Sequence, residues 1–197
     1  MILLISPEND IPNEIDTLHQ LFKAGLIHYH LRKPHKTIQE YERYIAQISP
    51  EYHKYVILHN FHELIEQHHN LKGIHLEEQK WRDTADGLNN YVLHFKKNGN
   101  TVSSSYHEPE DLEKQPVIFD YYILSPVFGA ISKSDMKGRG FDVSHMSKFI
   151  VGMGGINAHT TPKALALGFK GVGALGGIWN STDPIQSFID IKKALEK

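Results

Sequence analysis

Phe149–Ile178 reads FIVGMGGINAHTTPKALALGFKGVGALGGI, and the order of its parts decides the fold. A short apolar run, Phe149–Met153, exits through Gly154-Gly155. Thr161-Pro162 then offers a helix cap followed by proline at the first helical position. A second apolar run, Gly171–Leu175, exits through Gly176-Gly177. Strand, helix and strand in succession make a βαβ unit, whose strands pair in parallel. Working outward, the same short β-rich runs recur at Ile2–Ile5, Leu26–Leu31, Tyr55–Leu58, Gly73–Leu76, Thr101–Ser105 and Phe119–Leu124, with Tyr91–Phe95 as a further segment that could be extended. Helical stripes fill the gaps. Ile15, Leu18, Leu21 and Phe22 share one face, and Ile38, Tyr41, Ile45 and Ile48 share another. The second stripe opens with Thr37 and Glu40 spaced as a capping box. Asp183-Pro184 caps a last stripe through Ile185, Phe188 and Ile189. Eight such units predict a closed (β/α)8 TIM barrel, one domain spanning residues 1–197, with an open doubly wound sheet as its rival. Either architecture gathers function at the C-terminal ends of the strands.

Composition narrows the chemistry. The 197 residues are 40% hydrophobic, enough for one sizeable core and too few for two ordinary domains. Lys and Arg number 21 against 23 Asp and Glu, so no basic excess points to nucleic acid. No run reaches the ~18 apolar residues that a membrane span needs. Cysteine is absent, which removes disulfides, thiolate metal sites and cysteine nucleophiles. MILLISPEND lacks a positive leader and a small-residue cleavage site, so a cytoplasmic location is expected. Fourteen histidines stand out, a residue type suited to proton transfer and to metals.

The strand exits carry the rest. Gly154-Gly155 and Gly176-Gly177 follow the last two strands, where barrels commonly hold a phosphate on backbone N–H groups. Tight turns are the plain alternative. In the second strand, alternation puts His28, His30 and Arg32 on one face, toward the interior. A buried arginine wants an anionic partner. His-x-His also admits a metal, but no carboxylate lies in this strand and further ligands would have to come from distant loops. No metal is therefore assigned, and His28 is expected in a hydrogen-bonded core role. The third strand exits at His59-Asn60-Phe61-His62. His75 alternates with Ile74 and Leu76, toward the mouth, as a hydrogen-bonded structural residue. Ser105 and His107 follow the fifth strand, where a hydroxyl and an imidazole bind oxygen and move protons. The long segment from Ser125 to Lys133, with Lys137-Gly138-Arg139-Gly140 beyond it, reads as a lid bringing Ser132 and Lys133 to a phosphate, or as a solvated basic loop.

Taken together, HLRK at His30–Lys33, GIHL at Gly73–Leu76, SSYH at Ser104–His107, SPVFGAISK at Ser125–Lys133, GRG at Gly138–Gly140, GMGGI at Gly152–Ile156 and GALGGI at Gly173–Ile178 resemble the thiamine phosphate synthase/thiazole tautomerase (TenI-type) family over nearly the whole chain. The family fold is a (β/α)8 barrel. Its synthases join hydroxymethylpyrimidine pyrophosphate to a thiazole phosphate with Mg²⁺. Its tautomerases aromatise a carboxythiazole phosphate by proton transfer without metal.

The resemblance places Arg32 and Asn60 at pyrophosphate positions and Ser132 and Lys133 at the Ser/Thr-Lys pair of the sixth loop. It also places the four exit glycines at the thiazole-phosphate cradle and His107 at the tautomerase acid/base. His30 and Ser105 join the substrate-binding set. Departures accompany it. Phe61 stands where synthases carry a Mg²⁺-binding aspartate, and Lys80 where they carry a second carboxylate, although Glu77 and Glu78 lie nearby. Pro34 stands at a synthase lysine, with Lys33 beside it. Hard cations want oxygen ligands. The resemblance thus implies a tautomerase acting on a small-molecule thiazole phosphate without a cofactor. The alternatives are a Mg²⁺-dependent synthase and a non-catalytic phosphate-binding relative. A homo-oligomer stays open.

Overall fold

The computed structural model describes residues 1–67, 70–129 and 138–196. Eight parallel strands close into a barrel in sequence order: β1 (Ile2–Ile5), β2 (Tyr29–Leu31), β3 (Val56–Leu58), β4 (Gly73–Leu76), β5 (Thr101–Tyr106), β6 (Tyr121–Leu124), β7 (Ile150–Met153) and β8 (Gly171–Ala174). The ring is completed by pairing Ile2 with Val172 and Leu4 with Ala174. The expected strands are thus all present. The second is shorter than its apolar run because Leu26 belongs to the turn that ends the first helix, its N–H donating to Leu21 O at 3.0 Å. Tyr91–Phe95 is helical.

Around the barrel run α1 (Glu14–Lys23), α2 (Ile38–Gln47), α3 (Leu64–Gln67), α4 (Glu78–Asp83), α5 (Leu88–Lys97), α6 (Pro109–Lys114), α7 (Thr161–Ala166), α8 (Gly176–Trp179) and α9 (Pro184–Leu195). The Thr37–Glu40 capping box forms, and Asp183 caps α9 by accepting from Gln186 N. At α7 the expected cap differs. Thr161 is already helical, and the Asn157 side chain takes the free N–H groups of His159 and Thr160. Among the described residues no helix is long and apolar enough to cross a membrane.

Alternation along each strand sorts side chains into two layers. Ile2, Leu4, Tyr29, Leu31, Ile74 and Leu76 face outward into the large layer beneath the helices. Leu3, Ile5, Ile57, Tyr121, Ile123 and Val151 form a smaller cluster inside the barrel. The interior is completed by polar groups: His30, His75 and Ser103 are all buried. Register sets these at neighbouring levels, with His30 opposite Ile57, His75 opposite Ser103 and Ser103 opposite Tyr121.

Candidate functional site

The C-terminal ends of the strands surround a cavity of about 670 Å³. One wall is glycine. Gly154 and Gly155 follow β7 with φ of 103° and 65°, left-handed conformations that favour glycine. A Cβ on Gly155 would lie 2.4 Å from Gly129 O, so the β7 exit packs directly on the chain that follows β6. Thr160 Oγ1 donates to Gly155 O at 2.8 Å and steadies the turn. Gly176 and Gly177 complete this wall at the start of α8.

His107 lies on the cavity wall just past β5, with about half its side chain exposed. Its Nδ1 lies 2.6 Å from Glu78 Oε2, and its backbone N–H donates to the same oxygen at 3.1 Å. Arg82 binds the other Glu78 oxygen at 2.6 Å. Partial burial works to raise the Glu78 pKa, but the bonds from Arg82 and His107 outweigh it and hold the carboxyl below its usual range. Glu78 therefore stays ionised and orients the imidazole. Arg139 donates to His107 O at 3.0 Å and pairs with Glu108, tying the chain beyond β6 to this rim. Ser105, also in the wall, accepts at its backbone oxygen from Trp81 Nε1.

Arg32 enters the cavity between two carboxylates, Nε to Glu77 Oε1 and Nη1 to Glu8 Oε1, each at 2.5 Å. Its charge is thereby matched inside the protein. Glu77 also accepts from His59 Nδ1 at 3.4 Å. This hydrogen bond and the Arg32 guanidinium push the Glu77 carboxyl down to about 2. Beneath them His59 and His75 form part of the cavity floor, their rings stacked 4.2 Å apart. His30 lies deeper. Its Nδ1 bonds His59 Nε2 at 2.8 Å and its Nε2 bonds Tyr121 Oη at 2.6 Å. Burial lowers the pKa of all three imidazoles, which are neutral at pH 7.

Other expected residues lie elsewhere. Asn60 is not part of the cavity wall, and its Oδ1 accepts from Tyr41 Oη at 3.0 Å. Phe61 packs edge-on against the Tyr41 ring with φ of 54°. Lys80 is exposed on α4. Lys33 is fully buried and bound to Glu14 at 2.8 Å, beneath α1. His28 does not take the hydrogen-bonded role expected of it. It sits at the opposite end of the β2 interior face, and its buried Nδ1 has no hydrogen-bond partner. Ser132 and Lys133 lie outside the described residues.

Sequence reading did not anticipate the Glu78–His107 pair; it expected an anionic partner for Arg32, and the structure supplies Glu8 and Glu77. It also passed over the convergence of His30, His59 and His75, which come from neighbouring strands rather than distant loops.

A family profile described as thiamine monophosphate synthase matches residues 2–178. The chain belongs to that family. Membership ties it, at the level of the family, to enzymes of thiamine biosynthesis. Among solved structures it is similar to thiamine phosphate pyrophosphorylase from Bacteroides thetaiotaomicron, at 26% identity and TM-score 0.74, over 99% of this chain and 97% of that one. It also superimposes on thiamine phosphate pyrophosphorylase from Pyrococcus furiosus at TM-score 0.78 and 15% identity, covering 99% and 95% of the two chains. A 3-hexulose-6-phosphate synthase matches at TM-score 0.70 and 14% identity over 99% and 100%. At those last two identities the likeness speaks for the fold alone. No curated protein sequence matches the chain significantly.

Proposed function

We propose that this family member is a thiazole-phosphate tautomerase, moving a proton on a carboxythiazole phosphate so that the ring becomes aromatic. The observation that carries the reading is that His107, oriented by Glu78, and the two glycine exits line one cavity. The phosphate would rest on backbone N–H groups of the Gly154-Gly155 and Gly176-Gly177 loops, placing the ring toward His107. With Nδ1 held by Glu78, Nε2 is the nitrogen that takes the proton from one carbon and returns it at another site. Ser105 would hydrogen-bond the ring substituents. Ser132 and Lys133 enter as substrate contacts through the family resemblance alone. No cofactor takes part in this scheme.

Two further features support it over pyrophosphate chemistry. Arg32 is already matched by Glu8 and Glu77. The residue at the synthase aspartate position, Phe61, packs on Tyr41 and supplies no oxygen to a hard cation. Pyrophosphate departure without such charge neutralisation loses much of its stabilisation. The Mg²⁺-dependent synthase reading is favoured by one observation, the 26% identity to a thiamine phosphate pyrophosphorylase over almost both full chains.

A paired assay decides between them. The expected result is turnover of the carboxythiazole phosphate with no added Mg²⁺, and little thiamine phosphate from hydroxymethylpyrimidine pyrophosphate and thiazole phosphate. Efficient Mg²⁺-dependent thiamine phosphate formation without tautomerisation would overturn the proposal.

A further inference from the structure

His30, His59 and His75 come from β2, the exit of β3 and β4, three successive strands of the barrel. One ring nitrogen from each lies within 4.8 Å of the other two. All three side chains are buried. The other nitrogen of each ring is already engaged: His30 Nε2 with Tyr121 Oη at 2.6 Å, His59 Nδ1 with Glu77 Oε1 at 3.4 Å, and His75 Nδ1 with Ser103 Oγ at 2.8 Å. His30 Nδ1 and His59 Nε2 lie 2.8 Å apart, and His75 Nε2 is the nitrogen that elimination leaves to join them. The acid–base scheme at His107 uses none of them.

We propose that His30, His59 and His75 form a binding site for a divalent transition ion of the Zn²⁺ class, held by three neutral imidazoles. Four physical arguments converge. Imidazole suits borderline ions such as Zn²⁺, whereas Mg²⁺ takes oxygen, so this site is separate from the one that Phe61 and Lys80 weaken. A metal-binding histidine normally gives its second nitrogen to a carboxylate, hydroxyl or carbonyl, which fixes tautomer and ring orientation. Here each of the three rings has such a partner. His59 and His75 lie in the cavity floor, which gives an ion an entry path and leaves a fourth position open to the cavity. Finally, barrel interiors are filled mainly by branched apolar side chains, so three adjoining imidazoles are a poor choice for packing alone.

Occupation asks for modest adjustment. Nitrogens on a tetrahedral ion at about 2.0–2.1 Å stand roughly 3.4 Å apart, so the stacked His59 and His75 rings must rotate until both lone pairs aim at one point. The His30–His59 hydrogen bond gives way to the ion. His30 then carries its proton on Nε2 and donates to Tyr121 Oη. The site stands whether or not the tautomerase reading holds, and its test reads metal rather than turnover.

Full-length protein stripped with chelator and desalted is titrated with Zn²⁺ by calorimetry and with Co²⁺ by visible absorption. The expected result is one tight equivalent, with tetrahedral ligand-field bands for Co²⁺ that Zn²⁺ abolishes. X-ray absorption of the Zn²⁺ form should show imidazole nitrogens at about 2.0–2.1 Å. His59→Gln and His75→Gln, each checked for folding by circular dichroism, should lose the tight equivalent. Replacing the exposed His94 by Gln should not. Ser103→Ala keeps all three ligands, removes only the partner of His75 Nδ1, and should weaken binding about 10–100-fold. Absence of a stoichiometric tight site in the parent protein overturns the proposal. So does unchanged affinity in folded His59→Gln. If the glutamine variants fail to fold, unchanged affinity in Ser103→Ala overturns it instead.

Discussion

Lys33→Met breaks the most deeply buried ion pair among the described residues. The Lys33 side chain is fully buried and Glu14 is 5% exposed, with Nζ and Oε2 at 2.8 Å. The ammonium also donates to Asn9 O at 3.1 Å and lies 3.2 Å from the exposed Asp10. Glu14 accepts in turn from Tyr44 Oη at 2.6 Å and from Ile11 N at 3.3 Å. Removing the lysine leaves a carboxylate out of water with two neutral donors. Breaking such a pair from one side costs about 3–5 kcal/mol. Net stability of a domain is on the order of 5–15 kcal/mol, so the variant stays folded at 25 °C but unfolds at much lower urea.

Lys33→Met combined with Glu14→Leu removes both charges. What remains is the loss of an acceptor for Tyr44, whose hydroxyl keeps its 2.6 Å bond to Tyr29, and of partners for Ile11 N and Asn9 O, which lie nearer the surface, a cost of about 1–2 kcal/mol. The double variant should therefore be more stable than either single one, recovering about 1–4 kcal/mol relative to Lys33→Met by urea unfolding at constant m-value. Its affinity for thiazole phosphate should be unchanged, because Lys33 lies outside the cavity wall. A Lys33→Met cost below about 1 kcal/mol, or a double variant no better than the worse single one, would refute the reasoning. Loss of ligand affinity without loss of stability would instead place Lys33 in the site.

His107→Asn should keep thiazole-phosphate binding and lower tautomerisation by at least ~10²-fold, measured in single turnover. Glu78→Gln should leave His107 in place but misoriented, lowering turnover by less than His107→Asn does. If His107→Asn turns over at the parent rate, the acid/base lies elsewhere. Gly155→Val should sharply weaken affinity for the phosphate in calorimetry and also lower stability, since its Cβ meets Gly129 O at 2.4 Å in a left-handed backbone. Parent-like affinity in that variant would remove the phosphate from this wall. A Cβ at Gly73 would lie 1.9 Å from Thr101 O, so Gly73→Ala should separate β4 from β5, costing more than the ~1–3 kcal/mol of ordinary overpacking and lowering the urea midpoint accordingly. Gly87→Ala, with open space around it, should move that midpoint little.

The sequence by itself determined the eight strands, because most are short apolar runs bounded by turn or cap residues and β5, TVSSSY, is β-rich, and periodicity of two or 3.6 is a local property. It also determined which faces are which. Arg32 and Lys33 are adjacent, and alternation alone sends one to the cavity and the other beneath the helices. The Gly154-Gly155 exit was legible for the same reason, since left-handed backbone and close approach are demands on single residues.

Tertiary structure decided what meets what. His28 and His30 are two residues apart and invite pairing, yet His28 lies just before β2, at the far end of the barrel, while His30 meets His59 at the exit of β3 and His75 on β4. Glu78 reaches His107 across 29 positions, and Arg32 is clamped by carboxylates that precede and follow it by 24 and 45 positions. No local pattern encodes those contacts. They follow from the register of parallel strands and the closure of β8 onto β1, which set the height of each side chain in the barrel only once every neighbour is in place.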